Sequence, residues 1–410
     1  MSMEFKHTQL SNGLTIIAEA NPPAATIAAG FFVRTGSRDE TGDISGVTHF
    51  LEHMAFKGTD RRSVFDVNRE FDEMGAHYNA STSEENTIFY ASTLPEFQTR
   101  LLDLLCDILR PALRQEDFDV EKNIILDEIA MSEDQPKFQV YHKLMSAYFG
   151  AHPLGNPILG TQESIRALRR EQMQEYFERR YSPLNVTVVG VGKLDWNAFV
   201  DKVERMCSHW RPSPAVRQTP RADPSRGEKI IADPKLARQQ IGLMSPAPSC
   251  QDPRRYAAQL LATIVGDSTG SRLFYALVDP AIADEADMAY FPMDGEGAFL
   301  TFLSADADRA GEALRITRAE LRKFLDGGFR DAELLAAKNK IASGATVKGE
   351  LPMGRLAAVG FDWVYRHEYV PLAEQIDTLF AVTGDQVMDV ARACDLTAPA
   401  VLALGPRETL

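Results

Sequence analysis

The segment HFLEHMAFKGT, residues 49–59, sets two imidazoles four residues apart with a carboxylate between them. On a helix turning about 100° per residue, Val47, Phe50, Leu51 and Met54 form one apolar stripe. His49, Glu52 and His53 gather on the opposite side, and Gly58 supplies a stop. Two neutral imidazoles at i and i+4 can hold one metal ion from a single helical turn, and zinc, with about four ligands in a tetrahedron, suits them. The glutamate need not be a ligand. It can reach a metal-bound water, whose pKa zinc lowers toward ~7, and take its proton as the water attacks a carbonyl. HExxH presents these groups in one chain direction and HxxEH in the other. The competing reading is a plain solvent-facing polar surface, and the gathering of all three groups on one helical face argues against it.

Two histidines leave a third ligand to be found. His77, in GAHYNASTSEENT, lies on a strand-like segment where a lone histidine is more often structural. His142 is separated from the preceding helix by Pro136. EDFDVEKNIILDEIAMSEDQP reads as a helix on which Val120, Ile124, Ile125 and Ile129 span a broad apolar arc. Glu121 and Glu128 stand seven apart, superimposed in the middle of that arc, while Lys122 faces elsewhere. Buried carboxylates imply a neutralising cation, and His49 and His53 imply the same one. One glutamate then binds the metal and the other orients a ligating histidine. An ordinary ion pair with an arginine is the rival reading.

The elements that must position these groups occur twice. RPSPAVRQTPRADPSRG, residues 211–227, is proline-rich and reads as a linker. It divides the chain into a domain over residues 1–211, a linker over 212–227 and a domain over 228–410. Each half opens with two β-rich segments around a turn and continues into helix. Strands (HYNASTSEENTIFYAST; AFLTFLSADAD) then alternate with amphipathic helices (EFQTRLLDLLCDILRPAL; AGEALRITRAELRKFLDGG). The expected fold class is α+β, with two homologous domains, each a mainly antiparallel sheet with helices packed on one face. Where the first copy has HFLEHMAF the second has QLLATIV, so the metal motif belongs to the first alone.

The 410-residue chain is 44% hydrophobic and 25% charged, which suits a protein with buried cores. Its formal net charge of -14 argues against a nucleic-acid surface and hints weakly at basic ligands. No apolar run approaches the roughly 18 residues of a membrane span, and no secretory signal is visible. The scattered Cys106, Cys207, Cys250 and Cys394 read as reduced thiols, and the expected location is cytoplasmic.

GVTHFLEHMAFKGT resembles the zinc helix of the pitrilysin (M16) family of inverted-motif zinc peptidases, and the likeness is specific over residues 10–190. The resemblance implies a third zinc ligand about 75 residues after the second histidine, at Glu128, with the assisting glutamate at Glu121. It makes His49 and His53 the other ligands and Glu52 the general base. GAHYNASTSEENTIFYAS resembles the family's edge strand that pairs with substrate, with Asn79 near the active site. SRLF, Ser271 to Phe274, also matches, but Val278 stands where the family carries an arginine, and a tyrosine arrives only at Tyr290. The implied activity is a zinc endopeptidase cutting peptides or extended, unfolded segments in a closed chamber. The implied assembly is a homodimer or a heterodimer with a metal-free relative. A non-catalytic partner or scaffold subunit is the alternative, and an amidase acting on small molecules a third reading.

Overall fold

The computed structural model describes residues 3–410. Its strands are β1 (Glu4–Gln9), β2 (Thr15–Ala20), β3 (Ile27–Val33), β4 (His77–Thr82), β5 (Thr87–Thr93), β6 (Val186–Gly192), β7 (Gly227–Ala232), β8 (Arg238–Pro246), β9 (Glu285–Pro292), β10 (Gly297–Asp306) and β11 (Ala400–Gly405). Its helices are α1 (Val47–Ala55), α2 (Val64–Glu73), α3 (Gln98–Ile108), α4 (Gln115–Glu133), α5 (Pro136–Phe149), α6 (Gln162–Ala167) and α7 (Arg170–Arg180). They continue with α8 (Trp196–Cys207), α9 (Arg255–Gly266), α10 (Ala310–Gly327), α11 (Asp331–Gly349), α12 (Pro352–Arg366), α13 (Leu372–Ala381) and α14 (Gly384–Ala393).

Two compact units emerge, each assembled from three stretches of chain. The first comprises the chain through Ala130, Asn156–Gln218 and Thr346–Val370. The second comprises Met131–Gly155, Thr219–Ala345 and Pro371–Leu410. The proline-rich segment has no regular structure before Gly227, and its Arg217 is buried in the first unit against Asp39, with Nε–Oδ1 at 3.0 Å.

The first sheet runs β1-β2-β6-β3-β5-β4 and the second β7-β11-β8-β10-β9. Apart from the extra β1, the two orders correspond strand for strand. In each, one pair is parallel, β2 with β6 and β7 with β11, and the rest are antiparallel. The two domains are therefore homologous α+β sheets. A paired detail agrees. Lys122 of α4 donates to the carbonyls of Arg166 and Leu168 at the end of α6. Lys338, eighth in α11 as Lys122 is in α4, donates to those of Phe380 and Val382 at the end of α13.

β3 (IAAGFFV) and β6 (VTVVGVG) are buried at every position, as a strand covered on both faces must be. One face of the first sheet carries the helical layer, in which Phe31, Phe50, Phe71, Leu105, Phe118 and Phe199 share a core. The other face is covered by a single helix, α12, whose Leu356, Val359 and Val364 pack on Ile17, Ala28, Phe32, Val189 and Val191. A buried Arg355–Glu19 pair fixes that helix, and Tyr369 donates to the same carboxylate at 2.9 Å. In the second unit α5 plays this part, with Val140, Leu144 and Tyr148 against Met244, Leu300 and Leu402. The helical layer expected on one face is present, and each unit adds a covering helix drawn from the other half of the sequence.

Among the described residues no helix is long and apolar enough to cross a membrane, and the four cysteines are buried and form no disulfide.

Candidate metal centre

Helix α1 starts at Gly46, whose φ of +90° lies in the left-handed region. A Cβ there would stand 2.6 Å from the Leu159 carbonyl oxygen, so the turn requires glycine. The first turn of α1 lacks a side-chain cap at Gly46 and takes one from upstream. The buried Glu40 carboxylate accepts from Gly46 N at 2.7 Å and Thr48 N at 2.8 Å. Burial outweighs those bonds and lifts Glu40 to about 8. The Thr48 hydroxyl shares a 2.7 Å hydrogen bond with Tyr176, which binds the Thr35 hydroxyl at 2.8 Å.

Val47, Phe50, Leu51 and Met54 are buried, as the stripe requires. Phe50 stacks on Phe118 of α4 with ring centres 4.8 Å apart. One turn beyond each partner, His53 meets Glu121, with Nδ1 to Oε1 at 2.7 Å. Lys57 approaches the other Glu121 oxygen at 2.5 Å. Glu121 is therefore buried with two cationic or donating neighbours, and burial, which would raise its pKa, is overcome by the bonds from His53 and Lys57 that lower it. With Nδ1 bound to a carboxylate, the His53 Nε2 is turned outward as a lone-pair donor.

Two turns further along α4, Glu128 faces both histidines. Its Oε1 is 3.8 Å from His49 Nε2 and its Oε2 is 3.5 Å from His53 Nε2. One ligand atom from each of His49, His53 and Glu128 can be chosen so that all lie within 4.8 Å of one another, the one such grouping among the described residues. In a zinc tetrahedron with bonds near 2.0–2.1 Å, ligand atoms stand about 3.4 Å apart. The set of two imidazole nitrogens and one carboxylate, with carboxylate oxygens 3.8 and 3.5 Å from the two nitrogens, fits such an ion. Burial, then the neighbouring His53, lowers His49 to about 3, so its ring is neutral as a ligand must be. Burial also opposes charge on His53, but Glu121, then Glu128 and Glu52, outweigh it and raise its pKa.

Glu52 projects from the same helical face. Its Oε2 accepts a 2.5 Å hydrogen bond from Thr82 Oγ1 at the end of β4. Burial raises its pKa, and the Thr82 bond offsets part of that.

The buried face of α4 needs correction. Val120 and Ile124 are 61% and 43% exposed, so the buried stripe of α4 is Phe118, Glu121, Ile125 and Ile129. Glu128 lies off its centre, with a side chain 41% exposed. The cation beside Glu121 includes Lys57, four residues after His53, which the sequence reading did not weigh. Thr82 and Glu40 were also missed, and neither has a spacing signature. HYNASTSEENTIFYAST is two paired strands, β4 and β5. His77 is exposed on the opposite face of β4 from Ala80 and Thr82 and does not join the grouping. Asn79 is exposed, its Oδ1 accepting from Ala80 N at 2.9 Å. His142 lies on α5, half-buried, and desolvation lowers it to about 4. Tyr290 lies on β9 of the second unit and donates its hydroxyl to Pro248 O at 2.7 Å.

Comparison with known proteins gives this geometry its class. Residues 15–162 match the family described as insulinase, peptidase family M16, and residues 167–341 match the peptidase M16 inactive domain. An uncharacterized zinc protease of Streptomyces coelicolor is 30% identical over 98% of this chain and 89% of its own length. Another, from Rickettsia felis, is 28% identical over 100% and 99%. The crystal structure of a protease from Helicobacter pylori shares the fold, with a TM-score of 0.92 at 19% identity over 98% of this chain and 100% of that one. The chain belongs to peptidase family M16.

Proposed function

We propose that the protein is a zinc-dependent endopeptidase that hydrolyses peptides or extended, unfolded segments. The observation that carries this reading is the convergence of His49, His53 and Glu128 beside the Glu52 carboxylate. His49 Nε2, His53 Nε2 and a Glu128 oxygen would hold the ion. Zinc, when bound, supplies Lewis acidity, which makes water a nucleophile near neutral pH and polarises a carbonyl. Glu52 is the general base, accepting the proton at its carboxylate and passing it to the leaving amine. Its burial, which raises its pKa, favours that acceptance. Glu121 holds the His53 ring, and Lys57 balances Glu121. β4, at the edge of its sheet, offers unpaired main-chain groups to an extended peptide, largely without regard to side chain. Asn79 on that strand and Tyr290 in the second unit are assigned to substrate binding. The working form is a dimer, of identical chains or with a metal-free relative, enclosing a chamber.

A non-catalytic subunit is the second reading, favoured by Val278 standing where the family's arginine would be. Incubating the purified protein with a mixed peptide library, with and without a chelator, separates the two. Cleavage that stops with chelator and returns with zinc is expected, and Glu52→Gln should be inert while retaining about one zinc per chain. An intact library in the presence of zinc would support the subunit reading, and turnover by Glu52→Gln would remove Glu52 as base.

A further inference from the structure

We infer that Thr82 is a positioning residue for the reaction, fixing the carboxylate of Glu52; this rests on the role of Glu52 proposed above. Thr82 closes β4 opposite Thr87 of β5. Strand alternation puts its side chain on the face of Ala80, which packs in the core shared with α1. Its hydroxyl donates to Glu52 Oε2 at 2.5 Å.

The donor is itself rigidly held. The turn after it is closed by Ser83 N to Asn86 O at 2.9 Å, and the Ser83 hydroxyl accepts from Asn86 N at 3.1 Å. The Asn86 amide binds the Tyr365 hydroxyl at 2.6 Å, and that hydroxyl donates to Glu85 at 2.9 Å. Glu52 by contrast sits at the end of a flexible side chain in the middle of α1, and without a partner its carboxylate would sample several rotamers. A base displaced by about 1 Å loses much of its advantage.

The placement has a further consequence. The strand that offers its edge to an extended peptide also carries the hydroxyl that holds the base. Scissile bond and base are thereby referred to one strand, and the Thr82 bond limits how far the Glu52 carboxylate strays from it.

The test compares Thr82→Val, which replaces the hydroxyl with a methyl of similar size, with Thr82→Ser, which keeps the hydroxyl. Each is assayed for kcat, KM and zinc content on one peptide cleaved by the wild type, beside Glu52→Gln. Thr82→Val is expected to lose roughly 10- to 100-fold in kcat, with KM and zinc content near wild type, while Thr82→Ser stays within about threefold. Wild-type kcat in Thr82→Val, with Glu52→Gln inert, would overturn this inference and leave the base assignment standing. An equal loss in Thr82→Ser would overturn it too, because packing rather than the hydroxyl would then matter. Activity in Glu52→Gln would remove the base and this inference with it.

Discussion

His53 is asked to do two things at once, and its two nitrogens divide the work. Nδ1 is committed to Glu121 and Nε2 faces Glu128. That division makes the two glutamates of α4 experimentally separable. Loss of an outer hydrogen-bond partner typically weakens metal binding by roughly 10- to 100-fold, the range expected for Glu121→Gln. Glu128→Gln should weaken zinc binding further, in competition with a chromogenic chelator. An unchanged affinity in Glu128→Gln would take the third-ligand role from Glu128. The pairing of the imidazoles and Glu52 was legible in sequence because helical spacing alone determines it. Lys57 and Thr82 were not, because their roles arise from which side chains a strand and a second helix bring within 2.5 Å of the carboxylates.

Helix α1 depends on an acceptor outside itself. Glu40 caps its first turn from inside the protein, where burial lifts the carboxyl from the ordinary 4.5 to about 8. The folded state therefore binds this proton more tightly than the unfolded chain. The associated stability is fully present below about pH 4.5 and is lost as pH rises through about 8. The urea midpoint of the wild type is expected to fall between about pH 6 and about pH 9, and the fall should be smaller in Glu40→Gln. An equal fall in both would exclude Glu40 as its source. Helix α4 shows where periodicity misleads. Its sequence contains enough isoleucine and valine to draw an arc, but the arc follows residue type, and only the Phe50–Phe118 stack fixes which side is inward. Once Phe118 is inward, Glu121 must be buried beside His53 and Val120 must face out.

At the scale of the molecule, the duplicated architecture was readable because each copy repeats the same run of strands and helices. The assignment of α5 and α12 was not. The Leu356, Val359 and Val364 stripe announces that α12 buries a face, yet nothing in that pattern says which sheet receives it. The second copy's α9 carries no imidazole, which is why one such grouping occurs among the described residues of two such domains. The dimer proposed for the working form predicts a solution mass near twice the 45.5 kDa of one chain, measured by light scattering under assay conditions. A monomer with full peptidase activity would rule it out.

The central claim is that one zinc ion is shared by two imidazoles of α1 and a carboxylate of α4. Diffraction from crystals of the zinc-loaded protein, recorded on both sides of the zinc absorption edge, tests it most directly. One strong anomalous peak per chain is expected, about 2.0–2.2 Å from His49 Nε2, His53 Nε2 and a Glu128 oxygen. A peak held by other side chains, or none at full zinc loading, would contradict it.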